Sequence, residues 1–520
     1  MKHSLITTFL LFLFATTVSA QVYRVDWGAE YRRSGGIFSD FFLVGMTDEA
    51  YHMLLYTRKE STLFSYNWDH RLIDTKSVAF STGRDDMMLG DFIRTRSGNF
   101  AVLRQYDRRA KQLKTFVSRF ANQSFTELQQ ISAQPTNSRT ATLILNNTQQ
   151  TPNIFAPLVT SPDYNKVLFT STNIGRSRNE PERIGVQVYD RDFTELWSKA
   201  YLLPYADDDA QIIQSVVSNA GEVYLLAKIR KRGAERRQSA GLPDYRYELC
   251  KITSNGETQR QDVNLGGDLA PQYSGIYIPD SNDEPIIIAG MYTNAERRSN
   301  ILGAFVIEVT QQDFTFGEAR TSGFSQAFLE DLVTARAQRR GTGLENDFLI
   351  RSFFRFADGK LGFIAEETYI TREVDPVGMN NNVTRFRDVF HTDELVVLIF
   401  NNDGNLVAMQ KIDKDYNSYT PNMTSFATAV ANDQLFIVYN DQKSRRERKE
   451  IRGKGGGRVL FTDLTVISNE GYIDYQQSLF TSDMTARKSF IAQQSDYNAD
   501  YMVLLARSAK FFQCGLMRLR

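Results

Sequence analysis

The densest chemistry in this chain is cationic. Residues 228 to 237 hold six Lys or Arg against one acid, and among them stand Arg230, Lys231, Arg232, Arg236 and Arg237. Residues 441 to 458 hold eight against three, centred on Arg445, Arg446, Arg448 and Lys449. A guanidinium grips a carboxylate, sulfate or phosphate through two parallel hydrogen bonds, so such clusters suit an anionic glycan, an acidic protein or lipid headgroups. The same composition also describes charged, glycine-rich loops that are merely solvated. Other chemistry is sparse. Beyond residue 20 the histidines are His52, His70 and His391, with no His-x-x-x-His and no His–Cys spacing, so a zinc site of the usual kind is not expected. No Gly-x-Ser-x-Gly, phosphate-binding loop or dinucleotide glycine motif occurs in a suitable context. The run Asp207-Asp208-Asp209 is compatible with an oxygen-ligand Ca²⁺ site, although a solvated cap or a partner for nearby arginines is the plainer reading. No other cofactor is expected.

Residues 1 to 20 join Lys2 to an apolar run from Leu5 to Phe14 and end in small residues at Val18-Ser19-Ala20, the pattern of a secretory signal peptide. That apolar core is too short to span a bilayer, which takes about 20 residues. Gln21 stands where a lipoprotein anchor would need Cys. The expected product is therefore exported, periplasmic or extracellular, with no transmembrane segment after signal removal. Losing Lys2 leaves 60 basic against 61 acidic residues, so no net field draws the whole molecule to nucleic acid. Cys250 and Cys514 are too few for a disulfide framework, and buried free thiols are expected.

The elements that must position these groups are strands. Aromatic residues make up 12% of the chain, and most apolar segments are short and bounded by Gly- and Asn-rich turns. One unit recurs eight times: a polar turn followed by a short, strongly apolar strand. The copies include "SGNFAVLRQY" (97–106), "AGEVYLLAK" (220–228), "DEPIIIAGMY" (283–292) and "NADYMVLLAR" (498–507). A longer hairpin follows each, with Asn255-Gly256, Asp403-Gly404 and Glu470-Gly471 supplying turns that need positive φ. The tetrad Phe-Thr-Glu-Leu occurs in two of these hairpins, at 125–128 and 193–196. It marks equivalent positions, with Phe193 and Leu196 expected to pack between sheets.

Repeated four-strand units of this kind resemble the blades of a β-propeller, over most of residues 22 to 520 and without the motifs of any specific family. The expectation is an all-β chain, residues 21 to 520 forming one propeller of about eight blades, seven being the alternative. Because one strand is missing at the end, "VYRVDWGAEYRR" (22–33) is expected to close the ring. One short helix is expected after Ser325. The insertions at 175–183, 231–245, 371–391 and 441–458 fall between second and third strands, which gathers them with the inter-blade links on one rim. Trp27, Trp68 and Trp197 read as packing residues.

Two functions follow. The first is an exported, non-catalytic binding or scaffold propeller. Its loop-rich, partly basic rim would engage a protein or an anionic glycan. The second is a carbohydrate-active hydrolase or lyase with a carboxylate site in the central pocket, for which Asp91 and Glu222 are the acids near inner strands. A subunit of a bacterial envelope assembly is a further possibility beside the two.

Overall fold

The computed structural model describes residues 23–32, 40–57, 61–78, 87–126, 128–136, 141, 158–172, 181–206, 209–233, 235, 242–295, 301–339, 347–374, 386–419, 424–443, 459–479, 489–492, 495–508 and 511–520. Within them, eight antiparallel sheets form the blades of a ring. From the innermost strand outward, blade 1 is Asp40–Met46, Ala50–Tyr56, Ser61–Asn67 and Leu72–Val78; blade 2 is Met88–Thr95, Gly98–Asp107, Gln112–Ala121 and Gln129–Pro135. Blade 3 is Leu158–Thr160, Lys166–Thr172, Pro181–Asp190 and Glu195–Ala206; blade 4 is Ala210–Val217, Val223–Arg230, Tyr245–Ile252 and Thr258–Asp262. Blade 5 is Leu269–Tyr277, Ile286–Asn294, Gly303–Val309 and Arg320–Gly323; blade 6 is Asp347–Arg355, Leu361–Val374, Phe386–Phe400 and Leu406–Ile412. Blade 7 is Phe426–Ala431, Gln434–Lys443, Val459–Ser468 and Ile473–Ser478.

Blade 8 is built from both ends of the sequence. Its inner edge is the short pair Ser489–Phe490 and Asp496–Tyr497, followed by Tyr501–Arg507 and Phe511–Arg518. The outermost strand is Val25–Arg32, which runs antiparallel to the third, Val25 opposite Met517 and Arg32 opposite Phe511. This is the ring closure read from the sequence.

Period-2 alternation explains why the second strands read as unbroken apolar runs. Successive side chains leave a strand on opposite faces, and here each face meets a different neighbouring blade. In blade 1, Tyr51 and Met53 enter the core shared with blade 8, whereas Leu54 and Tyr56 enter the one shared with blade 2. Tyr224 and Leu226 likewise point to blade 5, Leu225 and Ala227 to blade 3. The core is thus eight wedges, one per blade interface. Each fully buried Leu or Phe in a wedge contributes about 1.5–3 kcal/mol. Outermost strands have only one wedge to serve and turn polar, as in the exposed Thr258–Asp262.

The outer hairpins share one turn. In blades 4, 6 and 7 the turn ends on Gly256, Gly404 and Gly471 with φ of 87°, 74° and 84°. In blade 3 the same position is Phe193, at φ 65°, its amide donating to Asp190 O at 3.1 Å. Phe193 is fully buried and meets Phe100 edge-on at 4.8 Å. Leu196, expected to pack beside it, is exposed instead. Leu196 is the extra residue of a bulge opposite Val188 and Tyr189, the same shift that leaves Val407 unpaired in blade 6 and Asp474 in blade 7, and it stands on the solvent side.

The helix α1, Gln326–Arg339, lies in the link from blade 5 to blade 6. Ser325 caps it, accepting from Phe328 N at 3.3 Å. Leu332 is buried against the wedge between those blades, and Asp331 meets Lys411 of the outer strand of blade 6 at 2.9 Å. No helix among the described residues is long and apolar enough to cross a membrane.

Candidate functional site

Antiparallel order places the loops between second and third strands on the same rim as the inter-blade links. The described strand ends agree with that reading: Arg230 and Tyr245, Val374 and Phe386, Lys443 and Val459 bound the longest insertions. Of the cationic candidates, Arg230, Lys231 and Arg232 stand on this rim at blade 4. Arg236, Arg237, Arg445, Arg446, Arg448 and Lys449 lie outside the described residues, as do Asp207 and Asp208.

The charge at blade 4 is largely answered from within. Arg232 pairs with Asp209 at 2.6 Å, so the one described member of the aspartate run serves an arginine. Arg246 reaches Glu235 at 3.0 Å, Asp262 at 2.7 Å and Glu248 at 3.5 Å. Lys228 sits 3.8 Å from the Tyr245 ring centroid. Lys231 is half-buried, and burial lowers its pKa from the ordinary lysine value.

A feature of the same rim that the sequence reading took for a loop is a projecting hairpin. The second and third strands of blade 6 run on past their sheet, pairing from Thr368 opposite Thr392 to Val374 opposite Phe386. These seven pairs rise about 20 Å at the usual strand spacing. On one face lie Ile370 opposite Phe390, Arg372 opposite Asp388 and Val374 opposite Phe386. Ile370, Val374 and Phe386 are 59%, 42% and 60% exposed, and Arg372 meets Asp388 at 3.0 Å between the apolar pairs. The other face is held down. Tyr369 stacks on His391 at 4.3 Å, Val389 is buried, and Arg387 lies 3.8 Å over the Tyr419 ring. A short strand, Tyr416–Ser418, pairs with Phe390–Thr392. At the base the fully buried Glu366 accepts from Lys414 Nζ and from Arg351 Nε at 3.1 Å. The signal was present in "TYITREV" and "FRDVFH", whose alternation continues through what length alone marked as an insertion.

At the ring's axis the two candidate acids separate. Asp91 is on the inner strand of blade 2, accessible to solvent yet surrounded by protein. That burial raises its pKa to about 6, against lowering by the Phe92 amide and by Arg104. Glu222 is not on an inner strand. It sits in the following turn of blade 4, held by Lys251 at 2.9 Å and accepting from Tyr224 Oη at 2.8 Å. The two therefore do not form a catalytic pair. Asp496, on the inner edge of blade 8, also has its pKa raised by burial, against lowering by the Tyr497 amide and by Arg94.

The bland readings hold for the tryptophans and thiols. Trp68 stacks on Tyr501 at 5.0 Å, and Trp197 donates to Gly221 O at 3.2 Å. Trp27 packs on the wedge between blades 7 and 8. Cys250 and Cys514 are buried and free, on third strands of the opposed blades 4 and 8. No group of three metal-ligating side chains occurs among the described residues.

No protein-family model matches the sequence, and no curated protein does. Solved structures of similar shape are propellers. The Dos1 propeller is 9% identical, with a TM-score of 0.42, and the similarity covers 95% of this chain and 96% of that one. The β-propeller domain of the trilobed protease from Pyrococcus furiosus is 9% identical, with a TM-score of 0.35, covering 89% and 99%. A polysaccharide lyase, an ulvan lyase, is 10% identical, with a TM-score of 0.39, covering 81% and 90%. These likenesses concern the fold alone.

Proposed function

We propose that this chain is an exported, non-catalytic binding propeller whose loop-bearing rim engages a protein partner. The observation that supports it is the blade 6 hairpin, a rigidly footed β-ribbon that holds Ile370, Val374 and Phe386 in water around an Arg372–Asp388 pair. Exposed apolar side chains set around a charge pair suit a protein surface better than a glycan. The described cations of blade 4 favour the same choice, because Arg232 and Arg246 already have carboxylates. Arg230 at that rim would add long-range steering.

The test is cross-linked capture from an envelope extract with tagged wild-type protein and with I370S/V374S/F386S. A partner recovered in stoichiometric yield by the wild type and lost with the triple variant, at unchanged circular dichroism, supports the reading. Equal recovery by both would refute it.

A second reading, a hydrolase or lyase acting on polysaccharide, is favoured by Asp91 alone: an inner-strand carboxyl raised to about 6 is suited to donate a proton near neutral pH. Asp91→Asn should then abolish release of sugar ends from a polysaccharide panel. Wild-type protein that releases none at any pH from about 5 to about 8 removes this reading.

A further inference from the structure

The opposite rim, which carries the hairpin turns, holds a built cavity. It opens between blades 1 and 2, has a volume of about 470 Å³ and falls within the ~300–1,000 Å³ typical of small-molecule sites. Its walls come from three turns and the strand ends beside them, so its chemistry can be derived group by group.

The inner strand of blade 2 delivers Arg94 and Arg96, both exposed and both lining the cavity. Neither is in a salt bridge among the described residues, although Asp496 of blade 8 interacts electrostatically with Arg94, whereas Arg232, Arg246, Arg320 and Arg355 elsewhere on the surface each hold a carboxylate. Arg94 lies 5.8 Å from the Tyr164 ring centroid, and Arg96 N donates to Tyr164 O at 2.8 Å. Tyr164 itself has φ 61°, a strained setting for a bulky residue. Between the two arginines, Thr95 is buried and donates to Arg191 O at 2.9 Å. The cations are therefore mounted on a clamped segment.

Facing them are neutral polar groups. Asn122 and Gln123 form the outer turn of blade 2, both left-handed at φ 53° and 54°. Such a turn ordinarily takes Asn-Gly, so the second position keeps a carboxamide at the expense of backbone ease. Asn99 is seated against Gly45, where any Cβ would lie 1.9 Å from its Nδ2. At the floor, His52 Nδ1 is 2.9 Å from Ser65 Oγ, which leaves Nε2 to the cavity, and Phe120 packs edge-on against the ring at 5.2 Å. Glu49 is the one acid in the lining.

Two guanidiniums against the single lining carboxylate of Glu49 leave an excess of positive charge that suits an anion, which they can bind in bidentate fashion. Three carboxamides and a neutral imidazole, each with donor and acceptor capacity, ask for hydroxyl groups around it. The volume of about 470 Å³ suits a small ligand. We propose that this cavity binds a small acidic saccharide, its carboxylate on Arg94 and Arg96 and its hydroxyls on Asn99, Asn122 and Gln123.

Titration calorimetry on the purified full chain tests this with methyl glucuronide, its neutral counterpart methyl glucoside, and propionate, which has the acid without the hydroxyls. The expected result is saturable binding of the glucuronide, at least about tenfold weaker binding of the other two, and loss of about tenfold for each of Arg94→Gln and Arg96→Gln. Gly45→Ala, which displaces Asn99 without removing a charge, should weaken the glucuronide and leave propionate unchanged. The hairpin variant I370S/V374S/F386S should bind as the wild type does, so failure here and failure of the protein-partner reading are separate results. Absence of saturable heat with glucuronide, equal affinity for the glucoside, or arginine variants that bind normally would each overturn the proposal.

Discussion

Replacing Phe193 separates two effects that usually act together. Its ring is fully buried in the wedge between blades 2 and 3, against Phe100 and Tyr189, while its backbone sits at φ 65°. Truncating a buried Phe to Ala costs about 3–5 kcal/mol. Alanine would retain the left-handed penalty of roughly 1–2 kcal/mol that any Cβ incurs there. Glycine would shed that penalty but raise the entropy of the unfolded chain, by about 0.4–1 kcal/mol. Phe193→Gly should therefore be destabilised by several kcal/mol, yet by roughly 0.5–1 kcal/mol less than Phe193→Ala, the reverse of the usual order. Urea unfolding followed by far-ultraviolet circular dichroism measures both. An alanine variant as stable as the glycine variant or more so would refute the turn argument, and losses under about 1 kcal/mol for both would refute the packing argument. Blades 4, 6 and 7 supply the comparison, since Gly256, Gly404 and Gly471 already hold the position.

Gly471→Ala should cost more than the backbone penalty alone, because its Cβ would lie 2.1 Å from that of Ala408; adding Ala408→Gly should restore part of the loss in the same urea assay. Lys414→Met leaves the buried Glu366 with Arg351 as its cation among the described partners and should cost about 3–5 kcal/mol, whereas Lys414→Met with Glu366→Gln should cost clearly less. Burial raises the thiols of Cys250 and Cys514 to about 11 and about 12, so both should ignore a thiol reagent in the native protein and react only on unfolding. Burial also holds His52 neutral, below its ordinary pKa. The unfolded chain then takes up the proton first, so this contribution is present above about pH 6.5 and is lost as pH falls below it. His52→Phe should flatten the fall in urea midpoint between about pH 7.5 and about pH 5.5.

The ring was legible because its rule is local. Each second strand must feed two wedges, so "PIIIAGMY" and "EVYLLAK" are apolar at every step and recognisable without knowledge of their neighbours. Turn chemistry was equally plain wherever Gly held the left-handed position. It misled at Leu196, because a bulge after the turn adds one residue to the outer strand and turns Leu196 outward, and nothing in "DFTEL" marks that bulge. The functional surfaces were less visible. Sequence reading located charge by counting residues, but Arg232 is answered by Asp209, an acid outside the counted segment that the fold brings to it. Conversely, Arg94 and Arg96 look ordinary in "DFIRTRSG", and become notable only where the fold sets them beside Asn99 and Gln123. Glu222 does lie beside an inner strand, but in the turn after it, where Lys251 holds it.

The pairing of Val25 with Met517 also dictates an order of assembly. Joining two points about 490 residues apart in an open coil costs roughly 5 kcal/mol in closure entropy, more than a few strand hydrogen bonds return. Once blades 1 to 7 stand side by side, the same two points are already neighbours and the cost has been met by the wedges. The clasp must therefore form last, and Val25–Arg32, synthesised ahead of every other described strand, waits longest with an unsatisfied edge. Its sequence fits that delay: Asp26, Glu30 and Arg32 stud "VDWGAEYR" with charges on exposed positions, which discourages pairing with other chains until its own third strand arrives.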